Sequence, residues 1–139
     1  MRYKIEIRPL EICHLKTVYE MGRETIELQS LASFDWTPEM LAKAYAQNEN
    51  LQLGAFIKKK LIGYLIALQK DGAIKILGIG VVEKFSNAEI ELQLIRKLIE
   101  LTQGTSIVVA IPNQNEFLLS VFEKVGFQSQ TIVEMKVTF

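Results

Sequence analysis

The sequence has one cysteine, one histidine and three prolines among 139 residues, and these scarcities exclude several kinds of site. Cys13 alone cannot form an internal disulfide or supply a cysteine-rich metal centre. His14 alone excludes a multi-histidine zinc site and leaves few routes to a serine–histidine–aspartate triad. Because neighbouring helical residues point in different directions, Cys13 and His14 are predicted to be ordinary helix positions rather than a catalytic pair. The sequence therefore predicts no metal site.

An excess of charge and long apolar runs are also missing. Lysine plus arginine and aspartate plus glutamate each number 16, so there is no net charge and no nucleic-acid partner is expected. The one dense basic run, Lys58–Lys60, is short, and a solvated hairpin tip is favoured over a polyanion contact. No apolar run approaches membrane-spanning length, and Met1–Glu6 does not resemble a signal peptide. These features predict a soluble, cytoplasmic protein without a membrane partner.

Hydrophobic residues make up 49% of the chain, which is enough to bury a core, and the sequence contains no linker or repeat. We therefore expect one domain spanning residues 1–139. Hydrophobic periodicity predicts the order β-α-α-β-β-β-α-β-α-β, an α/β fold with one mixed sheet covered by helices. The predicted strands are Ile5–Ile7, Leu51–Ile57, Leu61–Leu68, Ala73–Val82, Ile107–Ile111 and Val133–Phe139, and the predicted helices begin near Ile12, Thr37, Ile90 and Phe117.

Turn and capping residues support this order. Thr37-Pro38-Glu39 supplies an N-cap, a proline at the first helical position and an acid in the first turn. Asp71-Gly72 predicts a two-residue hairpin, and Gly104 and Gly126 are expected to end the last two helices. The continuous apolar run Ile107–Ile111 indicates a buried central strand.

Two segments narrow the choice of fold. Ile107–Asn115 (Ile-Val-Val-Ala-Ile-Pro-Asn-Gln-Asn) followed by Phe122–Phe127 (Phe-Glu-Lys-Val-Gly-Phe) resembles the signature of the GNAT N-acetyltransferases. Ile5–Leu15 resembles the usual opening of that family, and Phe34–Glu39 resembles its members that modify protein N-termini. The resemblance extends over nearly the whole chain. It implies a GNAT fold, acetyl-CoA as cofactor, and an amine acceptor, either a small molecule or a peptide N-terminus.

The resemblance also implies where the pyrophosphate of CoA binds, at the junction of the fourth strand and the third helix. In the family, glycines there let backbone N–H groups approach the phosphates at the positive end of the helix dipole. This chain has glutamate at both glycine positions and serine at the leading basic or amide position. The corresponding residues are Ser86, Asn87, Ala88, Glu89, Ile90 and Glu91.

Without the family, the same residues predict a capping box in which Ser86 and Glu89 satisfy free N–H groups at the helix start. Negative charge from Glu89 and Glu91 would stabilise the helix but repel a pyrophosphate. Two unit charges about 4 Å apart near a protein surface interact by several kcal/mol before screening. A structural cap is therefore favoured over a working CoA loop.

The residues at the family's catalytic positions also differ in this chain. The resemblance assigns the base to Ala110 and the acid that protonates the departing thiolate to Phe122, and neither side chain exchanges a proton. Asp71 is a possible substitute base, although an Asp-Gly pair in a hairpin is more often a turn.

Backbone and shape remain for binding. The resemblance implies that the pantetheine and acyl groups of the cofactor pair with the strand residues Ile79, Gly80, Val81 and Val82. Gly80 either leaves room for the thioester or packs closely under a neighbouring element, and Asn115 either bonds the cofactor or closes the turn after Pro112. Phe34 and Trp36 are candidates for the acceptor groove, with core packing favoured.

Three functions remain open at this point. One is an acyl-CoA-dependent N-acyltransferase, weakened by its altered loop. Another is a catalytically inactive GNAT-fold module that binds a different ligand or partner, because Glu89, Glu91, Ala110 and Phe122 all depart from the family pattern. The third is an assembly role, such as a homodimer formed through an exposed closing strand.

Overall fold

The structure, a computed structural model, describes residues 4–24, 36–130, 135 and 137–138. Its strands are β1 (Ile5–Pro9), β2 (Leu53–Ile57), β3 (Lys60–Lys70), β4 (Ala73–Val81) and β5 (Ser106–Val108). The described helices are α1 (Leu15–Glu24), α2 (Pro38–Gln47), α3 (Glu89–Leu101) and α4 (Glu116–Lys124). The sheet order is β1-β2-β3-β4-β5, with β4 and β5 parallel and every other pair antiparallel. This arrangement confirms the predicted mixed α/β sheet.

Helices cover both faces of the sheet because the strands alternate their apolar side chains between two cores. Along β3, Tyr64 and Ile66 pack in the core under α1 and α2, whereas Leu65 and Ala67 pack in the core under α3 and α4. Every residue from Ile62 to Ala67 is buried, so this part of β3 is covered on both faces. We refer to these as the α1–α2 face and the α3–α4 face.

The two hairpins have the predicted tips. Asp71 and Gly72 both have positive φ, 54° and 77°, between the paired residues Lys70 and Ala73. This is the left-handed two-residue turn that Asp-Gly favours, so Asp71 serves the turn. The basic run is exposed, with Lys58 (φ 56°) and Lys59 at the tip and Lys60 as the first residue of β3, which confirms the hairpin-tip prediction.

The pairing of β3 with β4 contains one irregularity. Ile66 pairs with Gly78 and Ala67 pairs with Ile76, so Leu77 is an extra residue on β4. The bulge changes which side chains face each core: Leu77 packs on the α1–α2 face, whereas Ile76 and Ile79 on either side of it pack on the α3–α4 face. It therefore changes the side-chain alternation shortly before the end of β4, where the candidate site lies.

The strand predicted over Ile107–Ile111 is wrong in length and position. β5 covers only Ser106–Val108, and it lies at one end of the described sheet rather than in its centre. The run is apolar throughout, but only alternate residues pack: Ile107, Val109 and Ile111 contact the α3–α4 core, while Val108 is 43% exposed. Here a continuous apolar run belongs to a segment that is buried on one side only, so the run did not indicate a central strand.

The predicted closing strand, Val133–Phe139, lies largely outside the described residues. Of that range, Met135, Val137 and Thr138 are described, they are not in a strand, and Met135 is 87% exposed. Among the described residues, no helix has both the length and the apolar character that crossing a bilayer requires.

Candidate functional site

The end of β4 and the start of α3 converge where β4 separates from β5. The parallel pairing joins only Ala73–Lys75 to Ser106–Val108. After these residues β5 ends, and within the described part of the chain no strand pairs with the β5 side of β4 from Ile76 to Val81. The carboxyl end of a parallel strand that has lost its neighbour is a common place for a ligand in α/β folds.

The start of α3 does not form the predicted capping box. Its N-cap is Ala88, which has a left-handed backbone at φ 74° and no side chain able to cap. The Glu89 N–H donates to Asn87 Oδ1 at 3.1 Å, and Ser86 Oγ donates instead to Glu91 Oε2 at 2.9 Å. The prediction paired Ser86 with Glu89, but the left-handed residue at Ala88 shifts the helix start, so the serine meets the acid two residues later.

Glu91 is therefore the unusual residue of this loop. Its side chain is only 3% exposed, and its Oε1 atom has no hydrogen-bond partner. A buried, half-satisfied carboxylate is costly because an unpaired polar atom loses its hydration without compensation. It lies in the first turn of α3, where the dipole favours negative charge and where N–H groups would otherwise receive an external anion.

Gly80 lies against an aromatic ring. It pairs in register with Tyr64 on β3, and a Cβ built on Gly80 would come within 2.9 Å of the Tyr64 hydroxyl oxygen and 2.8 Å of a ring carbon. The close approach supplies the packing reason for this glycine that the sequence left open. It also puts a phenol, a group that can donate and accept a proton, beside the strand segment Ile79–Val82.

Trp36 packs in the α1–α2 face. Its ring fills the space beside Gly22 and Gly78, where added Cβ atoms would collide with it, and its Nε1 donates to the Tyr19 carbonyl at 3.0 Å. The Trp36 and Tyr64 ring centroids are 5.6 Å apart. These contacts agree with the favoured core-packing interpretation, and a place for Trp36 in an acceptor groove stays a prediction. The other candidate for the acceptor groove, Phe34, lies outside the described residues.

Comparison with known proteins supplies the fold. No protein-family model and no curated protein matches the sequence. Among solved structures, PaiA N-acetyltransferase from Thermoplasma acidophilum in complex with coenzyme A is 21% identical at a TM-score of 0.75, covering 91% of this chain and 91% of that one. The ribosomal-protein-S18-alanine N-acetyltransferase from Escherichia coli is 19% identical at 0.70, covering 92% and 80%. Aminoglycoside N-acetyltransferase AAC(6')-Iy in complex with CoA is 16% identical at 0.72, covering 99% and 97%.

The chain has the GNAT N-acetyltransferase fold. With that fold, the residues at the expected acid and base positions can be described directly. Ala110 is exposed in the coil that follows β5, and Phe122 is buried in α4 at 2% exposure, with its ring 5.0 Å from that of Phe127. Both lack a titratable group, so any proton transfer in this GNAT fold has to use other residues or water.

Asn115 is the N-cap of α4. Its Oδ1 accepts the Leu118 N–H at 3.1 Å, and its own N–H donates to the Pro112 carbonyl at 3.0 Å. Both contacts belong to the structural alternative, in which the asparagine closes the turn after Pro112 and starts the helix. Its role in binding a cofactor stays a prediction.

Tyr64 is the residue beside the candidate site that sequence reasoning missed. A signal was present, because Gly78 and Gly80 are separated by one residue in a strand otherwise rich in isoleucine. Glycines on one face of a strand mark the close approach of something bulky, here the Trp36 and Tyr64 rings. The partner of Gly80 could not be named without the β3–β4 register.

Proposed function

We propose that this chain is a GNAT-type N-acyltransferase that moves an acetyl or other acyl group from acyl-CoA to an amine, and that it binds the CoA phosphates weakly. The observation that carries the proposal is the separation of β4 from β5 after Lys75, which leaves one side of Ile76–Val81 without a strand partner in the described structure. The GNAT fold supports it, as do two structural neighbours solved with CoA.

In this proposal the backbone of Ile79–Val81 holds the thioester, since the Val82 N–H already donates to the Ile62 carbonyl at 2.8 Å. The N–H groups of that segment polarise the thioester carbonyl, the amine nitrogen attacks the carbonyl carbon, and the C–S bond breaks so that CoA leaves as a thiol while the amine loses a proton. Acceleration comes mainly from positioning and from hydrogen bonds to the developing oxyanion. The acceptor is a small amine or a peptide N-terminus, and a cytoplasmic location remains the expectation.

We assign Tyr64 to proton transfer in this reaction. Ala110 and Phe122 cannot exchange a proton, whereas a phenol can do so, and the Tyr64 hydroxyl lies against Gly80 in the proposed thioester segment. Tyr64→Phe keeps the ring that packs on Gly80 and removes the hydroxyl. This variant tests the assignment once transfer has been detected, because a role in packing alone leaves kcat unchanged.

The weak binding of the CoA phosphates follows from the two glutamates at the start of α3. Glu91 is buried and already bonded to Ser86, and Glu89 is exposed in the same first turn of α3. Two negative charges therefore lie beside the N–H groups that would receive phosphate. Coulomb repulsion of a pyrophosphate is expected to lower CoA affinity. The acetyl group and the pantetheine arm, which carry no charge, are not affected.

The first test is calorimetric titration of acetyl-CoA into the protein and into Glu89→Gln/Glu91→Gln. We expect measurable binding to the wild type and about tenfold tighter binding to the double variant, equivalent to about 1.4 kcal/mol. A matched control, Glu100→Gln/Glu123→Gln, removes the same charge at two exposed positions and should leave the affinity unchanged.

Release of free CoA thiol in the presence of a panel of peptide and small-molecule amines then tests transfer. Binding without thiol release from any amine would leave the donor site intact and contradict catalysis. No binding at millimolar acetyl-CoA in either protein would contradict the whole proposal.

A second function is favoured by one specific observation, the bond between Ser86 and the buried Glu91. A GNAT-fold module that has lost its cofactor needs its helix start satisfied from within, and these two side chains do part of that. Such a module binds a partner protein or forms a homodimer, and the wild type takes up no acetyl-CoA. If the double glutamine variant binds acetyl-CoA while the wild type does not, this second function is the correct one.

A further inference from the structure

A group of metal-binding side chains lies in the turn between β1 and α1. Ile12–His14 form a 3-10 turn with Glu11 as its N-cap. A carboxylate oxygen of Glu11, the Cys13 sulfur and a His14 ring nitrogen all lie within 4.8 Å of one another, and Cys13 Sγ is 3.7 Å from Glu11 Oε2. The expectation that adjacent residues point apart was based on an α-helix. In this tight turn their ligand atoms converge.

The three ligand types belong to one class of ion. Thiolate, imidazole and carboxylate together suit Zn²⁺ and its first-row neighbours rather than Mg²⁺ or Ca²⁺, which take oxygen ligands. With metal–ligand distances of about 2.0–2.3 Å, a tetrahedral centre separates its ligand atoms by about 3.3–3.8 Å. The Glu11 and Cys13 side chains are exposed, so they can rotate to close the remaining gap without disturbing the core.

We propose that Glu11, Cys13 and His14 form a binding site for a Zn²⁺-class divalent ion, with the fourth coordination position open to water. Phe56 supports the site by holding the His14 ring, whose centroid is 5.1 Å from its own. Three protein ligands and one open position are the pattern of a zinc site that can still accept an exogenous ligand. The proposal is independent of acyl transfer, since it uses none of the residues from Ile79 to Glu91.

Metal binding competes with an existing hydrogen bond. His14 Nδ1 accepts the Glu11 backbone N–H at 2.9 Å. A neutral imidazole carries one proton, so a metal on Nε2 moves that proton to Nδ1 and ends its role as acceptor, while a metal on Nδ1 uses the same lone pair. The guanidinium carbon of Arg8 also lies 4.0 Å from the Phe56 ring centroid, adding a positive charge nearby. We therefore expect weaker binding than at a closed four-ligand site.

The test uses the whole chain, freed of metal with a chelator and kept reduced. Titration with Co²⁺ should produce a thiolate-to-cobalt charge-transfer band that saturates at one equivalent, and Zn²⁺ should displace it. Cys13→Ser should abolish the band, and His14→Ala should weaken binding by more than about tenfold, since even the loss of an outer-shell partner costs 10–100-fold in other sites. Glu123→Gln, an exposed acid on α4, is the control and should bind as the wild type does.

A nuclear magnetic resonance titration with Zn²⁺ supplies a second readout. The amide signal of Glu11 should shift on binding, because its acceptor at His14 is lost, and the shift should be missing in His14→Ala. Absence of the cobalt band would overturn the proposal. So would unchanged affinity in either Cys13→Ser or His14→Ala, provided that circular dichroism shows the variants folded.

Discussion

Gln52 and Glu91 are the two polar or charged side chains buried in the described part of the chain, and they are treated very differently. Gln52 Oε1 accepts the Ala67 N–H at 2.9 Å, and its Nε2 lies 2.7 Å from the Ala67 carbonyl and 2.9 Å from that of Asn48. Glu91 has a single bond, from Ser86, and one oxygen without a partner. One residue is fully satisfied while the other is not.

The difference indicates what each position is for. Gln52 lies just before β2 and is not itself part of a strand. Its side-chain amide nevertheless bonds the N–H and the C=O of Ala67, as the peptide group of a neighbouring strand would, next to the bulge in the β3–β4 pairing. That is an architectural role, because β2 pairs with β3 no further than Leu65, and the buried polar groups of Ala67 beyond it need another partner. Glu91 leaves hydrogen-bonding capacity unused at a helix start where relatives of this fold are expected to hold an anion. Unpaired buried polar atoms are rare where a side chain serves only the architecture, and this supports the proposal that CoA phosphates bind weakly here.

The largest effect is expected from Gln52→Leu. The substitution keeps the apolar bulk but leaves the Ala67 N–H and C=O buried without partners, and each such group costs about 1–3 kcal/mol. We expect the free energy of unfolding to fall by about 3 kcal/mol, measured by chemical denaturation with the m-value unchanged.

Gln69→Leu is the matched control for that experiment. Gln69 is exposed near the end of β3, so the same substitution should change stability by no more than about 0.5 kcal/mol. A loss below about 1 kcal/mol in Gln52→Leu would mean that water replaces the amide and that the contrast with Glu91 is not architectural.

A smaller effect is expected from Ser86→Ala. This change removes the one hydrogen bond that Glu91 accepts, and hydrogen bonds to charged groups contribute about 1.5–3 kcal/mol when buried. Because Ser86 itself is exposed, we expect a loss near the lower end, about 1–2 kcal/mol. In a Glu91→Leu background the same change should have almost no effect. A double-mutant cycle measures this coupling directly, and equal losses in both backgrounds would show that Ser86 acts elsewhere.

Much of the fold could be predicted because its signals are local. The Asp71-Gly72 turn, the Thr37 cap and the Gly126 helix end each follow from residue chemistry within a few positions. The aliphatic and aromatic residues of Leu61–Leu68 marked β3 without knowledge of its neighbours. The GNAT resemblance added the topology, which the structural neighbours confirm.

The site could not be predicted to the same degree, because its properties depend on non-local register and on one backbone conformation. The Ser86–Glu91 bond depends on a left-handed Ala88, a conformation that alanine rarely adopts, so the usual three-residue spacing gave the wrong pair. The meeting of Tyr64 with Gly80 depends on the β3–β4 register beyond the bulge. Cys13 and His14 were interpreted with α-helical geometry, although they lie in a 3-10 turn.

The smallest effect, and the one of opposite sign, is expected from Glu91→Leu. The change gives up a favourable interaction with the helix dipole of about 0.3–1 kcal/mol, but it removes an unpaired buried oxygen whose burial costs about 1–3 kcal/mol. The free energy of unfolding should therefore stay the same or rise by about 1 kcal/mol. Glu116→Leu, at an exposed position in the first turn of α4, loses only the interaction with the helix dipole, so its free energy of unfolding should fall slightly. A loss above about 2 kcal/mol in Glu91→Leu would mean that this carboxylate is as architectural as Gln52, and the case for an altered anion site would then rest on Glu89 alone.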